Sequence, residues 1–371
     1  MADITGYTAA MLRSELDRLA AQHRMSTAQI GRALVLTGNR ADANAWRQFA
    51  IALLRAAGVA GIGAGAIFFV AANWQDYGVM GRFLLLQVGF IAAIGIALWR
   101  SPAFDEHAAK FSIGAPALIL ATLLCGGLLA LFGQTYQTGA DVYELFFIWA
   151  LLTLPFAFAA MSGALWALWW CVLNIALALY CGWSGPADVA WAFFDRWGLN
   201  KSAALMMPFA IDLAGAMVVY ALADIATTNA TVARVAHAAP AWLARMLLAL
   251  AFAFGTSACV SVIAPDIFSF HGHRKMAMNT GVLAAFFLAS IGVIIFTLKQ
   301  RRDVFPLAIV AGSFIVISTA FIIKFVSRPD IGTAILLAAW LIGTSTATAF
   351  VLMRYVREWR TGGATHAGLS T

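Results

Sequence analysis

Between residues 133 and 141 the chain reads Gly133-Gln134-Thr135-Tyr136-Gln137-Thr138-Gly139-Ala140-Asp141, with Glu144 one helical turn further on. Carboxamides, hydroxyls and a phenol supply directional hydrogen-bond donors and acceptors, and Gly133 and Gly139 permit backbone turns that a β-carbon resists. A second polar segment, Asn73-Trp74-Gln75-Asp76-Tyr77, adds another amide and carboxylate. Two readings stay open. Such groups hydrogen-bond a polar ligand, or they form an interfacial turn that satisfies helix ends, with Trp74 and Tyr77 as ordinary belt aromatics. The candidate ligand-binding set is therefore Asn73, Asp76, Gln134, Tyr136, Gln137, Asp141 and Glu144, and no catalytic residue is assigned.

Three other groups invite chemistry. Asp212 stands in an apolar run, where an unpaired carboxylate is costly. Lys324 is one candidate partner, although a snorkelling lysine needs none; Pro208 could instead shift the helix start and bring Asp212 nearer the interface. Asn174 is placed to hydrogen-bond another helix. His271 and His273, with Asp266 nearby, have the spacing to converge on one ion, but Arg274 and Lys275 follow at once and repel a cation, so no metal site is expected. The four cysteines, Cys125, Cys171, Cys181 and Cys259, include no C-x-x-C pair. Cys171 and Cys181 would lie about 15 Å apart on one helix, too far for a disulfide.

The elements that hold these groups follow from composition. Of 371 residues, 62% are apolar and 11% charged, against about 25% charged in soluble domains. That excludes a soluble enzyme of Rossmann or TIM type. Ten apolar segments approach the ~20 residues a helix needs to cross a bilayer. They run Ala56–Ala72, Phe83–Trp99, Phe111–Gly133, Val142–Met161, Ala164–Trp183, Leu205–Ala226, Met246–Ala264, Met276–Leu298, Val304–Val326 and Ile331–Met353. Within them the only charges are Glu144, Asp212, Asp224 and Lys324. None alternates with period two, so helices rather than a β-barrel are expected.

Basic residues orient the bundle. With a cytoplasmic N-terminus, 17 of the 24 Lys and Arg residues fall inside, and the outside keeps Arg82, Arg196, Lys201, Arg274, Lys275, Lys324 and Arg328. The positive-inside rule then predicts an N-in, C-in, all-α polytopic membrane protein. The net charge of +7 reflects this bias and attraction to anionic lipid rather than a nucleic-acid footprint.

Domain organisation follows: a cytoplasmic helical region at 1–50, spans one to five at 51–183, a periplasmic interfacial segment at 184–204, spans six to ten at 205–353 and a cytoplasmic tail at 354–371. Residues 1–50 contain no apolar h-region of a cleavable signal. They hold a Leu12/Leu16/Leu19 stripe and, at Ser26 and Gln29, the form of a capping box. So short a piece has little core, and basic amphipathic helices lie at anionic lipid more often than they read DNA. In 184–204, Ala190, Phe193, Phe194 and Trp197 oppose Asp188, Asp195 and Arg196, as in a helix lying on a leaflet surface.

Asn73-Trp74 after the first span, the Gly133 to Asp141 string after the third, and Trp149 and Pro155 in the fourth resemble the bacterial predicted-membrane-protein family catalogued as domain of unknown function 2157. The resemblance covers about the first 190 residues. It implies a membrane topology class, a short helical cytoplasmic N-terminus and a bacterial inner-membrane location. It carries over no ligand, reaction or catalytic residue.

An internal repeat is a further expectation. Arg55 and Asp76 bracket the first span as Arg245 and Asp266 bracket the seventh, and Asp141 and Trp149 recur as Asp330 and Trp340. Spans one to four and seven to ten would then form parallel repeats with two helices between them, although capping aspartates recur in any polytopic protein.

No P-loop, H-E-x-x-H, G-x-S-x-G or haem-ligand pattern is present, and no cofactor is indicated. The expected partners are the lipid bilayer, a polar or lipid-linked small-molecule ligand and other membrane proteins; nucleic acid is not among them. Three functions remain: a transporter, channel or flippase-like protein with an outward-facing polar site; a non-enzymatic sensor or assembly partner; and a membrane enzyme using outer carboxylates, Asp76, Asp141, Glu144 and Asp266, on a lipid-linked substrate. The first two are preferred because no catalytic constellation is recognisable.

Overall fold

The computed structural model describes residues 16, 18–20, 22–23, 25–36, 43–73, 75–99, 114–137, 139, 141–181, 201–225, 239–263, 280–301, 303–325 and 331–367. Among them the regular structure is helical, with no strand. Trp74, Thr138, the Ala190 to Trp197 stripe, Asp266, His271, His273 and Asp330 lie outside the described residues.

A short helix, α1 (Thr27–Leu36), opens with the expected capping box. The Ser26 N–H donates to Gln29 Oε1 at 2.8 Å and the Gln29 N–H donates to Ser26 Oγ at 3.4 Å. Each end of the pair satisfies a backbone donor that the first helical turn leaves without an intrahelical partner. Ten long helices follow: α2 (Ala43–Ala72), α3 (Val79–Trp99), α4 (Gly114–Tyr136), α5 (Val142–Ala160), α6 (Gly163–Tyr180), α7 (Met206–Ile225), α8 (Ala241–Ile263), α9 (Thr280–Phe296), α10 (Val304–Phe325) and α11 (Ile331–Ala367). A single turn, Lys201–Ala204, precedes α7, and a π-helical turn, Thr297–Arg301, extends α9. All ten are long and apolar enough to cross a membrane, as the ten segments predict. Their outer faces therefore contact the lipid bilayer, because hydrocarbon is the solvent that leaves backbone polar groups satisfied within each helix.

Residues 50–247 form one compact unit. In it α3 packs along α4, α4 on α5 and α5 on α6, and the connections from α4 to α5 and from α5 to α6 are only a few residues long, as expected of antiparallel neighbours. Val70, Leu86, Leu124 and Leu131 make a core between α2, α3 and α4. Two glycines set the spacing further along. A Cβ on Gly126 of α4 would stand 2.5 Å from the Trp149 ring of α5, so the indole lies on bare backbone and donates from Nε1 to Thr122 O at 2.7 Å. A Cβ on Gly163 would stand 2.6 Å from Pro240, which brings the start of α6 against the start of α8.

The second compact unit comprises residues 1–49 and 248–371. Phe252 of α8 meets Phe286 of α9 edge-on at 5.6 Å, and Phe287 of α9 meets Phe314 of α10 at 5.3 Å. α11 packs on α10, where Trp340 Nε1 donates to Ser318 Oγ at 3.3 Å. Between α9, α10 and α11 lies an open apolar cavity of about 590 Å³.

Candidate functional site

The polar segment after α4 is more helical than its composition suggests. Gly133 and Gly139 both permit a turn, and the third apolar segment ends at Gly133, but α4 continues through Gly133, Gln134 and Thr135 to Tyr136. Loss of apolar character ends the hydrophobic run without ending the backbone hydrogen-bond ladder. The turn falls to Gln137, at φ 44°, and Gly139, at φ 65°. Gly139 takes this left-handed conformation freely, whereas a β-carbon at Gln137 makes it cost about 1–2 kcal/mol. Asp141 then takes the extended N-cap position of α5, φ −66° and ψ 148°, with no side-chain capping bond; its carbonyl accepts from the Glu144 N–H at 3.0 Å.

Asn73 has a local role. Its Nδ2 donates to Phe69 O at 2.8 Å, and its carbonyl accepts from the N–H groups of Asp76 and Tyr77 at 3.2 and 3.3 Å. These bonds close the C-terminal end of α2, as an interfacial turn should. Arg82 Nε donates to Tyr77 O at 2.9 Å and ties the start of α3 to the same turn.

Rings hold the helix ends side by side. Tyr136 stacks obliquely on Phe132 at 4.9 Å and on Phe83 of α3 at 6.2 Å, and Phe69 meets Tyr77 at 6.1 Å. Tyr143 at the start of α5 meets Tyr180 at the end of α6 at 5.1 Å. The seven candidate residues thus occupy one end of the 50–247 unit. Among the described residues no hydrogen bond or ion pair joins Asn73 or Asp76 to Gln134, Tyr136, Gln137, Asp141 or Glu144. Asp76, Gln134, Gln137 and Asp141 are exposed, and their side chains make no hydrogen bond among the described residues. Among the described residues, Glu144 Oε1 is the only carboxylate oxygen of this set with a side-chain donor, the Tyr143 hydroxyl at 3.5 Å. Asn73 and Glu144 apart, the arrangement offers a rim of amides and carboxylates that make no side-chain hydrogen bond among the described residues.

Sequence reading passed over Tyr143 and Tyr180, which frame the rim, while Thr135 of the polar string has its Oγ1 buried with no hydrogen-bond partner among the described residues. A signal existed for the first two: tyrosines at the ends of consecutive apolar runs mark the same interface.

Asp212 is a different kind of site. It lies six residues into α7, about 9 Å along the axis, and is 0% exposed. Pro208 sits in the first turn of α7, where its missing N–H breaks no helical bond, so the helix starts ahead of it and Asp212 remains inside. Asn174 of α6 donates from Nδ2 to Asp212 Oδ1 at 2.9 Å and to Trp170 O at 3.0 Å, which realises the helix-to-helix bond expected of it. Among the described residues of its own unit Asp212 makes no ion pair; Lys324 belongs to the other unit. Gly215, one turn beyond Asp212, makes the pairing possible: a Cβ there would stand 2.8 Å from the Trp170 ring. This glycine was not anticipated, because nothing local distinguishes it from the other glycines of the spans.

All four cysteines are free thiols, in keeping with the absence of a feasible pair.

No curated protein and no solved structure matches the chain. Residues 17–166, which contain α2 to α5 and both polar segments, match the model of the family described as predicted membrane protein (DUF2157), the family that those segments resemble.

Proposed function

We propose that the protein is a transporter, channel or flippase-like protein of the bacterial inner membrane. Asn73, Asp76, Gln134, Tyr136, Gln137, Asp141 and Glu144 form its outward-facing polar site, and Asp212 lies deeper on the same route. The observation that carries this reading is the pairing of Asp212 with Asn174 wholly inside membrane-spanning helices. A carboxyl at such depth is expensive, and intramembrane ionisable residues that face the bundle interior mark ion and substrate paths. The amides and carboxylates of the rim that make no side-chain hydrogen bond among the described residues support it further, since a turn built only to satisfy helix ends would use them up.

The test is water access. On a cysteine-free background, Asp212→Cys and Ala216→Cys should react with a small charged thiol reagent added outside intact cells, and Val218→Cys, on the exposed face of α7, should not. No reaction at both buried positions would overturn the transport reading. It would favour the second one, a non-enzymatic membrane sensor or assembly partner. That reading is supported by α11, whose Ile331, Ile335, Ile342 and Phe350 stay exposed and available to another membrane protein.

A further inference from the structure

The hydrogen bonds around Asp212 do not balance. The carboxamide of Asn174 has two N–H donors, and both are used, one on Trp170 O and one on Asp212 Oδ1. What remains is Asp212 Oδ2 and Asn174 Oδ1, two buried oxygens with no hydrogen-bond partner among the described residues. Both are acceptors if the carboxyl is ionised, and two acceptors cannot satisfy each other. Turning the amide over does not help, because its oxygen would then face the carboxyl across the same 2.9 Å.

A single proton resolves both. On Oδ2 it converts an acceptor into a donor, which is what the unmatched amide oxygen of Asn174, held by the neighbouring bond to Oδ1, requires. We propose that the Asp212–Asn174 pair is a proton-binding site inside the membrane, neutral when loaded. The proton comes from water and returns to water, leaving a carboxylate and one unmatched amide oxygen, so release favours separation of α6 from α7. This deepens the transport reading by naming the species that the deep site takes, and it rests on that reading only for the claim that the proton moves.

The surroundings select a proton over a metal cation. The pair offers three oxygens, whereas hard cations take about six or more. Among the described residues no trio of His, Cys, Asp or Glu gathers to bind a metal. Among the described residues no cation is paired with the carboxyl in the proton's place either. α6 carries no charged residue, and its nearest titratable group is Cys171, within electrostatic reach of the carboxyl. On α7, Tyr220 and Asp224 lie two and three turns further on, and α8 brings Leu247 beside Gly215 while carrying Arg245. Asp212 has Asn174 as its one hydrogen-bond partner among the described residues.

The experiment is infrared spectroscopy of the full chain in lipid nanodiscs near neutral pH, with isotope-labelled aspartate carboxyls for assignment. A carboxylic-acid carbonyl band that shifts with the label and in heavy water is expected in the unmodified protein. It should disappear in Asp212→Asn and move in frequency in Asn174→Ala, which keeps the acid but removes its partner. Absence of the band, or its persistence in Asp212→Asn, overturns the proposal. So does a missing band together with stabilisation by sodium chloride, relative to choline chloride, that Asp212→Asn abolishes, because the pair then holds a metal cation. If Asp212→Asn fails to fold, the label shift and the Asn174→Ala displacement decide the matter. The thiol-access test is independent of this readout: a proton band without water access removes transport and keeps the site, and the reverse removes the site and keeps transport.

Discussion

Asn174 Nδ2 lies 2.9 Å from Asp212 Oδ1 and joins α6 to α7 across 38 residues of sequence. Each side chain is buried and takes a hydrogen bond from or gives one to the other. Asn174→Leu is therefore expected to destabilise the protein by about 1–3 kcal/mol, the cost of leaving a buried polar group unmatched. Adding Asp212→Leu should recover part of that loss, since removing both partners leaves nothing unsatisfied. Thermal unfolding of the two variants in the same lipid checks it; a double variant no more stable than the single one contradicts the pairing.

The seating of Trp149 on Gly126 makes a second prediction. Gly126→Ala should cost about 1–3 kcal/mol, because the ring must leave its place against the helix backbone. Gly58→Ala of α2, where an added Cβ meets nothing within 4 Å, should be neutral or stabilising by about 0.5–1 kcal/mol. Melting temperatures of the two alanine variants should thus move in different directions, and partial rescue of Gly126→Ala by Trp149→Leu would locate the clash.

For the outer rim, exposure separates ligand contact from structure. Gln137→Ala and Asp141→Asn remove no hydrogen bond among the described residues, so stability should change by less than about 0.5 kcal/mol. Gln137→Gly should if anything stabilise, by relieving the left-handed backbone. If the rim binds the transported species, the first two variants lose binding or flux while the third keeps it. Stable variants with undiminished activity would remove these residues from the functional centre.

Topology has its own measurement. On a cysteine-free background, Thr138→Cys should be labelled by an impermeant thiol reagent in intact cells, and Arg40→Cys and Thr365→Cys only after permeabilisation. Labelling of either terminal position in intact cells, with protection at 138, is incompatible with ten spans and cytoplasmic ends.

The repeat is a proposal with a structural test, and the bonds of its two tryptophans go to acceptors of different kinds. Trp149 of α5 donates to Thr122 O of α4, and Trp340 of α11 donates to Ser318 Oγ of α10. In both cases the indole reaches back to the preceding helix. An experimental structure should superpose α2–α5 on α8–α11 with Arg55 on Arg245, Asp141 on Asp330 and Trp149 on Trp340; a superposition that scrambles these pairs makes the spacing coincidental.

Hydropathy alone determined the number of spanning helices, but not how far they run past the apolar core: α2 begins at Ala43 rather than Ala56, and α11 continues to Ala367 rather than Met353. The number was legible because transfer of a segment into hydrocarbon depends on the sum of its own side chains, a local property. The capping box at Ser26 and Gln29 was legible on the same ground, since both partners lie within one turn. At Gly133 local reasoning stopped short, because the apolar segment ends there by composition, while the continuing hydrogen-bond ladder kept the backbone helical.

Tertiary structure decided which in-span polar groups meet. Asp212 was visibly costly in the sequence, but its partner could only be found once Gly215 let the Trp170 ring approach α7 and brought Asn174 within reach. The same holds for Trp149 on Gly126, and for Gln137 rather than Gly133 taking the left-handed turn. Such pairings depend on the separation and rotation of two helices, quantities set by the packing of many side chains and written in no single segment.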